Sequence, residues 1–125
     1  MTEKEIKIEQ FHSVRPTKYP LVEHLEIKQE LSRERLTYEM SLMLTLRSSN
    51  DSDSSRLVLS FSKVRNLKLN PENAEISFSL LLILPMNEGW EDVSFRVFND
   101  EQNVEFSFFC DDFEANLVDS QGTIV

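Results

Sequence analysis

Six apolar residues fall on successive even positions: Leu36, Tyr38, Met40, Leu42, Leu44 and Leu46. The odd positions between them hold Thr37, Glu39, Ser41, Met43 and Thr45. A repeat of 3.6 residues would scatter those six around a helix, whereas a repeat of two gathers them on one face of a strand. The spacing predicts one long, half-buried strand. Leu57, Leu59 and Phe61 keep the same rhythm, then the phase slips to Val64 and slips back at Leu67 and Leu69. Two parity changes inside one apolar run predict β-bulges or a sharp bend, with Lys63, Arg65 and Lys68 turned to solvent. The run 76–84 is free of charge and apolar on both faces near its end. It is expected to be a central strand, because an exposed edge of this kind invites aggregation. Val93, Phe95 and Val97 alternate next. Val104, Phe106, Phe108 and Cys110 follow, with a continuation through Phe113, Ala115 and Leu117 after a bend at Asp111-Asp112.

The connections suit this pattern. Segments 70–73, 85–89 and 99–103 are built from turn formers, and 48–55 is a polar, mobile loop between the strands of a hairpin. The chain has only two glycines, Gly89 and Gly122, so Asn and Asp are expected at most positive-φ positions. Near the start, Ile6 and Ile8 alternate with charges and suggest a short strand. Leu25, Ile27 and Leu31 keep a period of two, and a turn at Ser32–Arg35 would pair that strand with the long one after it. Leu21 and Leu25 also fit a helical spacing, so a short helix near Pro20–His24 stays open. Residues 122–125 read as a frayed tail.

About seven strands result, and the gaps between them are too short for parallel crossovers. The expected fold is all-β and mostly antiparallel, with at most one short helix near the N-terminus. It is either a β-sandwich or a single strongly curved sheet closed over its own core. At 125 residues, 1–125 reads as one domain, its core dominated by Phe61, Phe78, Trp90, Phe95, Phe98, Phe106, Phe108, Phe109 and Phe113.

Charge changes the picture more than composition does. The net charge is −9, and it is unevenly placed. Residues 1–68 hold twelve of the thirteen Lys/Arg and ten of the twenty-two Asp/Glu, a balance of +2. Residues 69–125 hold the other twelve acids and only Arg96, a balance of −11. Such a surface repels nucleic acid and anionic lipid and speeds encounter with basic partners. A solubilising surface with no partner at all is the competing explanation. The longest apolar run, Leu80–Leu84, is far too short to span a bilayer, and the polar start Met1–Glu5 does not resemble a signal peptide. A cytoplasmic protein that binds neither membrane nor nucleic acid is expected.

Candidate chemistry is thin. His12 and His24 have carboxylates nearby in sequence, but no nucleophile elbow accompanies them. Cys110 is in phase with Phe106 and Phe108, so it reads as a small buried residue, and Asp111 and Asp112 disfavour its thiolate. Asp51-Ser52-Asp53 opens like a calcium loop, but Arg56 and Ser62 stand where glycine and glutamate are needed. Asp112 and Glu114 would share a strand face with Asp111 opposite, which suits a solvated acidic surface better than a cation cage. No catalytic residue, metal or cofactor is assigned. Trp90 reads either as a core plug or as an interface anchor beside Glu91 and Asp92.

Residues 57–69 (LVLSFSKVRNLKL), Trp90-Glu91, Phe95–Phe98 and Phe106–Glu114 (FSFFCDDFE) resemble a pattern in small bacterial β-proteins, among them immunity proteins of polymorphic-toxin systems. The resemblance implies a cytosolic, non-enzymatic domain that occludes a toxin. It supplies no catalytic residues.

The leading expectation is therefore a protein-binding module presenting an acidic surface to a basic partner. The contact set is Trp90, Glu91, Asp92, Asp100, Glu101, Asp111, Asp112 and Glu114. A carrier enclosing a small apolar ligand among the phenylalanines is the alternative, or an accessory structural domain. Self-association through an edge strand is also open.

Overall fold

The computed structural model describes residues 2–34, 36–71, 81–86, 93–99 and 104–124. Its elements run α1 (Glu3–Ser13), a 3-10 turn (Pro16–Lys18), β1 (Leu21–Ser32), β2 (Thr37–Arg47), β3 (Arg56–Ser62), β4 (Arg65–Pro71), β5 (Leu81–Pro85), β6 (Phe95–Asn99), β7 (Val104–Cys110) and β8 (Asp112–Val118). All strand pairs are antiparallel. One sheet, A, has the order β1-β2-β3-β8, and the other, B, the order β4-β7-β6-β5. The expected all-β antiparallel fold is what forms, with eight strands among the described residues where about seven were expected.

The two sheets share a corner. β3 leads into β4 and β7 into β8, and the two neighbours bend together. Ser62 pairs with Asp112 in sheet A and Arg65 with Phe109 in sheet B, while the Asp111 amide donates to the Ser62 carbonyl at 3.1 Å. Lys63 takes φ 51 at the bend. Asn66 takes φ 55 at a bulge, where the register of β4 against β7 slips between Arg65 and Lys68. The parity changes around Val64 thus mark both a corner and a bulge, and the sandwich is also a strongly folded sheet. The expectation that Asn and Asp carry the positive-φ positions fails among the described residues. Arg15, Leu36 and Lys63 occupy such positions beside Asn66 and Gly122. Corner geometry and packing override a residue preference of about 1–2 kcal/mol.

The inner faces close over Leu42, Leu44 and Leu46 from β2, Leu57, Leu59 and Phe61 from β3, and Phe95, Val97, Phe106, Phe108 and Phe113. The rings meet edge to face: Phe61 and Phe108 at 4.8 Å, Phe95 and Phe113 at 4.9 Å. Each such contact adds about 0.5–1.5 kcal/mol beyond burial. Rings packed against one another in this way face each other, where a carrier would turn them toward a ligand.

Two expectations for the strands need correction. Ile6 and Ile8 do not make a strand; they belong to α1. Thr2 caps that helix, its hydroxyl oxygen accepting from the Glu5 amide at 3.2 Å, and Glu3 and Glu5 sit in the first turn where negative charge is favoured. Lys4, Lys7, Ile8 and Phe11 form the covered face at i, i+3, i+4 and i+7, while Ile6 points to solvent. The strand expected to be central, of which Leu81–Pro85 is described as β5, ends the described order of sheet B. Helix α1 packs against both β5 and β8, and so spans the open side between the two sheets. It covers edges that would otherwise be free to pair. Residues 76–80 lie outside the described residues.

The pairing of β1 with β2 through a turn after Ser32 forms as expected, and a helix at Pro20–His24 is excluded because Leu21–Ser32 is strand throughout. The 48–55 connection is a hairpin loop held by its own side chains. Asn50 accepts from the Ser52 amide and Asp53 from the Ser55 amide, while Tyr19 hydroxyl meets Ser55 hydroxyl at 2.9 Å. The C-terminal turn is bonded too. The Asp119 amide donates to the Thr123 carbonyl at 2.9 Å, and Ile124 bridges to Val118.

Phe11 is fully buried and is the helix's single fully covered side chain. Phe11→Ala is expected to cost about 3–5 kcal/mol in urea unfolding. A loss below about 1 kcal/mol would show that α1 does not close the sandwich.

Candidate functional site

Three carboxylates of the expected contact set can be placed, and they lie at the shared corner, whereas Glu105 pairs with Asn70 in sheet B and Asp119 sits in the C-terminal turn. Asp111, Asp112 and Glu114 follow one another where β7 becomes β8. Alternation puts Asp112 and Glu114 on the outer face of sheet A, opposite Ser62 and Ser60, with buried Phe113 between them pointing inward. Of the expected contact set, Trp90, Glu91, Asp92, Asp100 and Glu101 lie outside the described residues. Met86 and Ser94, on either side of 87–92, are joined by a 2.8 Å hydrogen bond at the corner end of sheet B. Asn99 and Val104, on either side of 100–103, belong to the opposite end, where Asn99 pairs with Leu81 and Val104 with Pro71.

Two of the three placed carboxylates are engaged in holding the fold. Asp111 accepts from the Ser94 hydroxyl at 3.2 Å, tying the start of β6 to the corner. Asp112 accepts from Lys7 at 2.7 Å and from the Phe113 amide at 2.9 Å. Lys7 also donates to the Phe113 carbonyl at 2.9 Å and lies 5.8 Å from the centre of that ring. Lys4 reaches the Met86 carbonyl at 2.6 Å. The helix thus delivers two ammonium groups to the strand edges it covers, and Asp112 anchors one of them. Glu114 is exposed beside this cluster.

Cys110 ends β7 fully buried, its thiol pushed up to about 12 by burial first and then by Asp112 and Asp111. Burial and neighbouring negative charge both oppose the thiolate, so the residue is a packing element. His12 is exposed at the end of α1 and His24 on the outside of β1, 3.9 Å from Glu26. Among the described residues no three His, Cys, Asp or Glu side chains converge as metal ligands, and no helix is long and apolar enough to cross a membrane.

The outer face of sheet B has the opposite sign. Lys68, Arg96, Asn66, Leu84 and Phe109 line an open depression there, and Arg96 lies 4.5 Å over the Phe98 ring. The one cation after residue 68 therefore stands on this face beside Lys68 and apolar side chains. Among the described residues of that face, Glu105 is the acid set against these cations.

A second surface was not foreseen. The six-residue stripe of β2 runs past the core. Leu42, Leu44 and Leu46 are buried, but Tyr38 is 68% and Leu36 79% exposed. Across the hairpin Leu31 pairs with Tyr38 and Ile27 with Leu42, and both are exposed as well. The inner face of this hairpin tip is apolar and uncovered. Stripe length was the available signal: five of the six positions lie in the eleven-residue β2, Leu36 falls in the turn before it, and the described strands β5 and β6 are five residues each.

A family model described as Immunity protein PIM8 matches residues 3–116, a span that includes α1, both sheets and most of β8. No curated protein and no solved structure matches the chain.

Lys7→Met and Asp112→Asn are each expected to destabilise by about 0.5–1 kcal/mol, since both partners are partly exposed, and to be coupled in a double-mutant cycle. Additive effects would remove Asp112 from its anchoring role. Native Cys110 is expected to react with a thiol reagent at pH 8 about a hundredfold or more slowly than in urea, and equal rates would contradict its burial. Because folding raises this pKa, its contribution to stability is complete below about pH 8.5 and fades as pH rises toward 12.

Proposed function

The chain belongs to the Immunity protein PIM8 family, and on that premise we propose that it is a non-enzymatic module that neutralises a basic toxin by binding it through carboxylates. A match covering 3–116 carries the reading, because it takes in α1, both sheets and most of β8 and so supports a binding unit built on nearly the whole fold. The net charge of −9 supports a basic partner. Glu114 is the described member of the contact set that faces solvent without an anchoring duty, and Trp90, Glu91, Asp92, Asp100 and Glu101 complete the set. Asp111 and Asp112 contribute field while their oxygens hold the corner. Lys68 and Arg96 turn a cationic partner away from the outer face of sheet B. The encounter takes place in the cytoplasm, and inhibition needs only that the bound domain cover the toxin's working surface.

The test uses a toxin domain against which co-expression of this chain restores growth. Its association rate is expected to fall tenfold or more between 50 and 500 mM salt, through screening of steering charges. Glu114→Lys should slow association, whereas Lys68→Glu should leave it unchanged or faster. Protection should saturate at one molecule per toxin. A salt-independent rate would overturn the acidic docking, and protection at substoichiometric ratios would overturn the non-enzymatic reading.

A further inference from the structure

Strand β1 ends the order of sheet A, and no described strand pairs on its other side. It is long, twelve residues from Leu21 to Ser32, and a bare edge of that length is a template for another strand. Edges of this kind are commonly protected by charges of one sign that repel a second copy. The outward positions of β1 carry a different pattern: His24, Glu26, Lys28 and Glu30, at every second residue, with Glu26 near both His24 and Lys28 on the same face.

That pattern complements itself. If two copies of β1 lie antiparallel about a two-fold axis at Ile27, Glu26 faces Lys28 of the partner subunit and His24 faces Glu30 of the partner subunit. Both contacts are repeated by symmetry. Ile27, 44% exposed on the inner face, then meets its own copy. Moving the axis one residue toward either end sets Glu26 against Glu26 or Lys28 against Lys28. Among registers that keep the inner faces aligned, the one centred on Ile27 sets all four outward positions of each copy against a complementary one, and its two nearest neighbours set like charges together.

We propose that this chain forms a homodimer through β1, joining two copies of sheet A into one eight-stranded sheet centred on Ile27. Its occupant is a second copy of this chain, chosen because the edge is charge-complementary to itself.

The experiment is sedimentation equilibrium of the full chain and of two variants, Glu26→Lys and Lys28→Glu. The wild-type chain is expected to show a monomer–dimer equilibrium. Each variant should weaken it about tenfold or more, since both symmetric contacts become repulsive. Mixing the two variants should restore dimer, because one copy then presents lysine at both positions and the other glutamate at both, so opposite charges meet across the seam. Circular dichroism of each variant separates loss of pairing from loss of fold, and the charges are at the surface, so both should fold. A wild-type monomer at every concentration would overturn the proposal. So would a dimer indifferent to the reversals, or variants that fail to recombine. A monomer whose β1 amides gain hydrogen-exchange protection only on adding toxin would assign the edge to the toxin instead.

Discussion

The corner where β3 passes into β4 beside β7 passing into β8 sets everything else in this molecule. Because two adjacent strands bend together, the two sheets are one hydrogen-bonded ladder folded on itself, and the hydrogen bond from Asp111 to Ser62 keeps the ladder intact through the bend. Folding a sheet in this way brings two inner faces together at one side and leaves the other side open. The open side is bounded by β8 and β5, and α1 closes it with Phe11. A helix in an otherwise all-β chain is a consequence of that topology. Its two lysines reach the carbonyl of Phe113 in β8 and that of Met86 just past β5.

The same corner governs which charges remain for a partner. Carboxylates in sequence at 111, 112 and 114 alternate between faces, so no single surface receives all three. Asp112 meets Lys7 and Asp111 meets Ser94, and each loses freedom that a binding contact would need. The later segment's excess of acids is thus partly structural, while Lys68 and Arg96 reverse the sign on the outer face of sheet B. A net charge of −9 describes the molecule's long-range field better than it describes any one patch.

Strand alternation was legible because burial on one face writes itself into every second residue. Leu42, Leu44, Leu57, Leu59, Phe106 and Phe108 were placed correctly on that basis alone. The parity slip at Val64 was legible as well, since a bend must interrupt the alternation. Helix α1 was not, because two of its four covered positions are Lys4 and Lys7, whose chains lie against the strands while their ammonium groups reach carbonyls. A hydrophobicity pattern records such residues as polar, and Ile6 and Ile8 imposed a false period of two. The Thr2…Glu5 spacing of a capping box was the signal to use. The place of β5 at the end of the described order was hidden for a related reason. A strand covered by a helix can be as apolar as a central one.

The edge strand of the overlong hairpin and the acidic strand β8 occupy opposite edges of sheet A. In the order β1-β2-β3-β8, β1 is the edge farthest from β8, where Asp112, Glu114 and the helix lie. Pairing through β1 therefore leaves the corner clear, and the two associations compete for no residue. A joined sheet would carry its two corners at its far ends, three strands beyond the seam on either side. Each copy could then engage its own toxin, and the field of both copies would steer either encounter. The apolar tip formed by Leu31, Leu36 and Tyr38 belongs to the β1 side of this division, so its exposure bears on self-association and not on the carboxylates.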